Sequence, residues 1–172
     1  MERFRGRADL SLNDTGFKQA EAAAQKLKDW QVVAIYSSPR KRAPQPAEPM
    51  ARNLHLPVQP LEGLIDIDFG SFQGLSAEEA SKLDKKLMDA WIEQPHLVHF
   101  PKGESLDIVR QRVLAAVEEL EKKHKDQTVI LVSHTVVCRV LMCAMLGLDN
   151  SHFWHVSQDV NAINIFELRD GA

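Results

Sequence analysis

Two short β-branched apolar runs, residues 32–36 and 128–133, each give way at once to a turn and then to a segment of helical character. Runs that are apolar on consecutive positions belong to strands covered on both faces, and strands alternating with helices build a mostly parallel sheet between two helical layers. The rest of the chain repeats the alternation. A helix is expected over residues 14–28, capped by Asn13, with Gly16, Ala20, Ala23, Ala24 and Leu27 as a small-residue stripe that lets it lie close to the sheet. A second helix past Ser37-Ser38-Pro39 is expected to be distorted or to start late, because Pro44 and Pro46 fall within it.

A strand is expected over 56–61, then a glycine-containing loop over 64–74. Ser76 and Glu79 form a capping-box pair opening a helix that runs toward Trp91. Ser105 caps a long helix with Leu106, Val109, Val113, Val117 and Leu120 on one stripe. His134 directly follows the strongest strand and precedes a helix closed by Gly147, and residues 162–168 read as a last strand. No repeat, low-complexity stretch or linker divides residues 1–172, which read as a single domain.

In such a sheet, ligands bind beyond the carboxyl ends of the strands. That rule singles out residues 37–42 and His134. An imidazole at a strand end beside a helix N-terminus suits an anion, although a lone histidine in that place more often caps the helix or fills a gap. Arg40, Lys41 and Arg42 are either a solvated basic patch or a group with one arginine turned inward to grip phosphate with paired N–H donors. Asp66 and Asp68 alternate with Ile65 and Ile67 and suit two surface carboxylates. Functionally, one of them would be a general acid with its pKa raised by poor solvation, a device that contributes about 10²–10⁴-fold.

With 172 residues the chain can bury a core, and a formal charge of −3 gives no bulk attraction to nucleic acid or anionic membranes. The apolar run 136–148 is interrupted by Arg139 and is shorter than the ~20 residues that span a bilayer. No apolar signal region follows the first charges, and the two cysteines, Cys138 and Cys143, point to different faces of one helix, which suits a cytoplasmic protein without disulfides. His96 with His99 and His152 with His155 have spacings of three, but no cysteine or carboxylate completes a metal-ligand set.

Taken in order, these segments resemble the histidine phosphatase superfamily, the phosphoglycerate-mutase-like kind. The first-loop and first-helix pattern is matched by Arg3-Phe4-Arg5-Gly6-Arg7-Ala8-Asp9-Leu10, Leu12-Asn13-Asp14-Thr15-Gly16 and Gln19-Ala20. Tyr36-Ser37-Ser38-Pro39-Arg40-Lys41-Arg42-Ala43 is similar to the second motif. Leu64 to Gly70 resembles the acid-bearing segment, and Gly103-Glu104-Ser105 and Val132-Ser133-His134 match the late motifs. Any one motif is weak; five in the right order are specific. The resemblance implies a three-layer α/β/α fold with a mostly parallel sheet. Its phosphate-binding arginine falls on Arg42, its acid on Asp66 and its second active-site histidine on His134. Arg5, Gly6 and Thr135 fall among its substrate-binding residues.

Three departures matter. The family's opening strand with its Arg-His-Gly motif, which carries the phospho-accepting histidine, has no counterpart in the sequence. Gln45-Pro46-Ala47 stands where Gln-Thr-Ala is usual, and the acid is aspartate where glutamate is usual. The chain is therefore expected to lack the first strand of its fold. Reduced stability, rearranged pairing, or another segment or chain in the gap should follow, along with impaired activity.

For a complete enzyme the resemblance implies a phosphohistidine route. The histidine attacks phosphorus, Arg42 and His134 stabilise the transferring group, and Asp66 protonates the leaving oxygen and then activates water. No metal or cofactor is required, and the partner is a small phosphorylated metabolite. A phosphomonoesterase leads. A mutase and a non-catalytic phosphate-binding or scaffold protein stay open, as does a homodimer.

Overall fold

Strand β1 (Val32–Ser37) occupies the centre of a parallel sheet between β2 (Val58–Pro60) and β3 (Thr128–Val132), in the order β2-β1-β3. The computed structural model describes residues 3–168. Ile35 lies opposite Val58 on one side and Ile130 on the other. Ala34, Ile35, Tyr36 and Ser37 are all buried, as a strand covered on both faces requires. Helices α1 (Asp14–Leu27) and α2 (Pro44–Leu54) close over Ile35 with Ala23, Ala24, Leu27, Ala47 and Met50. On the opposite face α5 (Leu106–Lys123) and α6 (Thr135–Met145) close over Ala34 and Tyr36. The three layers are those the alternation of runs predicts.

Several elements follow their sequence signals closely. The Asn13 side chain accepts from the Gly16 amide at 2.9 Å, and Ser76 with Glu79 forms both bonds of the capping box. Helix α2 starts late, on Pro44 after a turn over residues 41–43, and is not distorted there. Pro44 and Pro46 occupy its first turn, where an N–H has no intrahelical acceptor to lose.

Two expectations need correction. The helix expected to run unbroken from Ser76 toward Trp91 is two helices, α3 (Ala77–Leu83) and α4 (Lys85–Glu93). Asp84 takes an extended conformation between them and caps the second, accepting from the Leu87 amide at 2.9 Å. Residues 162–168, expected as a last strand, form none. They have no ladder and are exposed throughout, Ile165 by 69%. A strand needs a neighbour for its backbone groups, and β3, at the edge of the sheet, pairs only with β1 among the described residues. The residue just before the segment leans on α1 instead, where the Asn161 side-chain Nδ2 donates to the Gln19 carbonyl at 2.6 Å. Although wholly apolar after Thr128, β3 is only half-buried.

The loops around the sheet's carboxyl end are tied by backbone bonds. The Phe4 amide donates to the Leu75 carbonyl at 2.9 Å and the Gly74 amide to the Phe4 carbonyl at 2.8 Å. This pairing lays residues 3–8 beside residues 67–75. Gly6 turns there with φ +43°, buried, where an added Cβ would lie 2.8 Å from the Ile67 carbonyl oxygen.

Candidate active site

The carboxyl ends of β1 and β3 are stitched together by a bond from the Ser38 amide to the Val132 carbonyl at 3.0 Å. One residue past β3, the Ser133 hydroxyl donates to the Leu64 carbonyl at 2.7 Å and draws the acid-bearing segment over the strand ends. His134 stands at the N-cap position of α6, yet its side chain makes no capping bond. Its imidazole is buried, with Nε2 2.8 Å from the Ser38 hydroxyl oxygen and Nδ1 3.8 Å from Asp66 Oδ2. Simple helix capping therefore does not describe this histidine.

Of the three consecutive basic residues, Arg42 turns inward. Its Nη2 donates to Asp66 Oδ2 at 2.7 Å and to the Gly6 carbonyl, and its Nη1 donates to the Ala8 carbonyl at 2.6 Å. Lys41 turns outward, its Nζ 3.5 Å from Asp9 and largely exposed. Only arginine's planar fork can serve oxygens from two loops at once. Arg42 and His134 thus approach the same carboxylate oxygen, and the structure brings together Arg42, Asp66 and His134.

Burial pushes the Asp66 carboxyl up to about 6; the Arg42 guanidinium and the hydrogen bond from the Ile67 amide oppose that rise without cancelling it. Burial likewise drives His134 down to about 3, helped by the positive charges of Arg42, Arg112 and Arg40. The site so arranged holds a fixed cation, a neutral imidazole and a carboxyl able to give and take a proton near neutral pH, at the N-terminus of α6. Those are the requirements for binding an oxyanion ester and protonating its leaving group.

Asp68, the other member of the aspartate pair, is engaged elsewhere: Oδ1 accepts from the Gly70 amide at 2.8 Å and Oδ2 faces Arg7 at 3.5 Å. Gly6 contributes its carbonyl to Arg42. Arg5 is exposed and offers its own carbonyl to Gln73 Nε2 at 2.7 Å. Thr135 is the first residue of α6 and is exposed. The other histidines have partners of their own: His99 contacts the Gly103 carbonyl at 3.1 Å, and His152 contacts Asp149 at 3.3 Å with its ring centroid 5.5 Å from that of His155. No group of three or more histidines, cysteines and carboxylates with metal-holding geometry occurs among the described residues.

All 172 residues match the profile of the histidine phosphatase superfamily (branch 1). The chain belongs to this superfamily. Within it, the chain is 38% identical over 168 residues to phosphoserine phosphatase 1 of Hydrogenobacter thermophilus, covering 98% of the chain and 80% of that relative. It is 33% identical to the metal-independent phosphoserine phosphatase of Arabidopsis thaliana, covering 98% and 70%. It spans only 47% of a bifunctional protein of Mycobacterium tuberculosis, at 32% identity over 99% of the chain. Among solved structures, YhfR of Bacillus stearothermophilus superposes with a TM-score of 0.86 at 30% identity, covering 90% of this chain and 77% of that one. The chain is thus a histidine-type phosphatase by family, and its fold is that of the superfamily's α/β phosphatases.

Sequence reasoning placed Ser38 in the strand-end run 37–42 without giving its hydroxyl a role, and did not single out the carbonyls of Gly6 and Ala8 as parts of this candidate site. Ser38 carried a usable signal, since it follows β1 as closely as His134 follows β3. Backbone carbonyls carry none, because every residue has one.

Proposed function

We propose that this histidine phosphatase acts on small phosphate monoesters and that the 172 residues supply the phosphate grip and the proton-transfer group of the reaction. The observation that carries this is the convergence of Arg42 and His134 on Asp66 Oδ2, at 2.7 Å and 3.8 Å. Bound there, a phosphoryl group would receive paired N–H bonds from Arg42 and a bond from His134. As an attacking imidazole forms a nitrogen–phosphorus bond, Asp66, protonated in about half the molecules near pH 6, would give its proton to the alkoxide oxygen whose bond to phosphorus breaks. It would then take a proton from the water that displaces the imidazole from phosphorus. Fixed cations and donors stabilise the developing charge, in keeping with a metal-independent route.

In the phosphohistidine route the attacking group is a histidine in an Arg-His-Gly run, and the sequence contains none. On this reading the chain alone is a weak catalyst and a competent phosphate binder. The names of its relatives make phosphoserine-like esters the first substrates to try. The absence of the run also favours one second reading, a non-catalytic phosphate-binding protein, which turnover by a form carrying the run would eliminate. Transfer back to a phosphorylated acceptor, as in a mutase, differs only in whether water reaches the intermediate. Two free cysteines fit a cytoplasmic location.

Titration calorimetry with inorganic phosphate and vanadate tests the proposal. The chain should bind, and Arg42→Ala should lose roughly 1.5–3 kcal/mol, the worth of a charge-assisted contact. Absent binding, or equal binding by both proteins, overturns it.

A further inference from the structure

We propose that Glu104 is a positioning residue that holds the Asp66 loop and the Arg42-binding loop in register, acting through Arg112 and Arg7; the proposal rests on Asp66 being the acid of the site. Glu104 lies just before Ser105, the N-cap of α5, and is buried. A buried carboxylate is retained only where its charge and lone pairs are met, and here four donors meet them. Arg112, two turns into α5, grips it with both arms of its fork, Nε to Oε1 at 3.0 Å and Nη2 to Oε2 at 3.2 Å. The Asp68 amide donates to Oε2 at 2.9 Å, and Arg7 Nη2 lies 3.2 Å from Oε1.

The placement of these contacts gives them their meaning. Arg112 Nη1 donates to the Gly63 carbonyl at 2.9 Å, while Glu104 takes the Asp68 amide. The pair therefore grips the acid-bearing segment on both shoulders, with Asp66 between. The Glu104 amide adds a bond to the Asp68 carbonyl at 2.8 Å, so residue 68 is held through donor and acceptor alike. Arg7 extends the hold to the neighbouring loop, where the flanking carbonyls of Gly6 and Ala8 fix Arg42. One carboxylate thereby sets the spacing between the acid and the loop that orients the phosphate-binding arginine. It also answers the charge of two arginines, one of which acts on both Asp66 and His134 through space.

The test follows the Asp66 carboxyl resonance through a pH titration by carbon NMR in phosphate-free protein, with thermal unfolding in parallel. Glu104→Gln preserves shape but removes the charge and one acceptor. Arg112→Lys preserves the charge but cannot bridge Gly63 and both Glu104 oxygens. In each, the loop should relax and Asp66 gain water, so its midpoint should fall from about 6 by roughly one pH unit or more. Movement in Arg112→Lys separates positioning from a through-space charge effect. A folded variant that melts earlier while the Asp66 midpoint stays put overturns the proposal, because it shows Glu104 to be structural only. Should Glu104→Gln fail to fold, Arg112→Lys decides by the same criterion. Failure of wild type to bind phosphate would strike the functional reading alone, since this titration needs no ligand.

Discussion

His134 Nδ1 lies 3.8 Å from Asp66 Oδ2, and burial moves the two groups in opposite directions, the carboxyl up to about 6 and the imidazole down to about 3. A buried acid and a buried base side by side are each held toward the neutral form. Their effects on stability therefore have opposite signs.

A carboxyl whose pKa rises on folding stabilises the native state below pH 3.8, and that contribution is lost as pH climbs through 6. A histidine whose pKa falls on folding contributes above pH 6.5, and its contribution is lost as pH drops through 3. The shifts correspond to about 3 and about 5 kcal/mol, so across pH 4–6 the two slopes largely offset each other in wild type. Asp66→Asn should expose the histidine slope, with stability rising from pH 4 to 6. His134→Asn should expose the opposite slope. Urea unfolding at several pH values checks this, and slopes of the same sign in both variants would defeat it.

Arg42→Lys should fail to restore what Arg42→Ala loses. A lysine supplies charge but not a planar fork, and the carbonyls of Gly6 and Ala8 together with Asp66 require one. Phosphate affinity in Arg42→Lys is expected within about 1 kcal/mol of the alanine variant by calorimetry, since most of a charge-assisted contact's roughly 1.5–3 kcal/mol comes from aligned bonds. Recovery of wild-type affinity would show that a point charge suffices.

Gly6→Ala should destabilise the fold and weaken phosphate binding together. At φ +43° a side chain is strained, and its Cβ would press on the Ile67 carbonyl, next to the acid. Such strain costs about 1–3 kcal/mol, which lowers the melting temperature by about 2–4 °C per kcal/mol in a chain of this size. Thermal unfolding and phosphate calorimetry read the two effects, and a change in neither would show that the turn tolerates a side chain.

Hydrolysis of p-nitrophenyl phosphate by the 172-residue chain should stay near background, because none of its seven histidines lies in an Arg-His-Gly run. A form extended at its N-terminus by a strand ending in that run should turn over, and His134→Ala should depress it. Equal rates in both forms, surviving His134→Ala, would place the nucleophile elsewhere.

Much of this was legible in the sequence for physical reasons that can be named. Residues 32–36 and 129–132 are apolar without alternation, which made a parallel sheet between helices the natural reading; coverage on both faces holds for Ala34 to Ser37 of β1, whereas β3 is only half-buried. Asn13, Ser76 and Ser105 announced helix starts because their side chains satisfy backbone amides that nothing else reaches. Arg42, Asp66 and His134 were picked out by motif order and strand ends, and the structure brings the three side chains together. What stayed hidden depended on partners distant in the chain. The pattern of residues 162–168 does not say whether a neighbouring strand is there to receive it. Asp84 looks like any helical aspartate until its side chain is seen capping Leu87. Glu104 and Arg112 sit eight residues apart, and nothing local tells that their shared target is the loop around Asp66.

Arg42 is anchored by three oxygens before any ligand arrives. A free arginine side chain carries about 2 kcal/mol of rotamer entropy, and a surface arginine surrenders it when it closes on an anion. Here that ordering is completed during folding, so encounter with a phosphate ester immobilises little beyond the ester itself. Recognition at this site is in that sense a matter of exchange: an oxyanion that takes an Arg42 donor from Asp66 meets a guanidinium whose orientation the Gly6 and Ala8 carbonyls already hold.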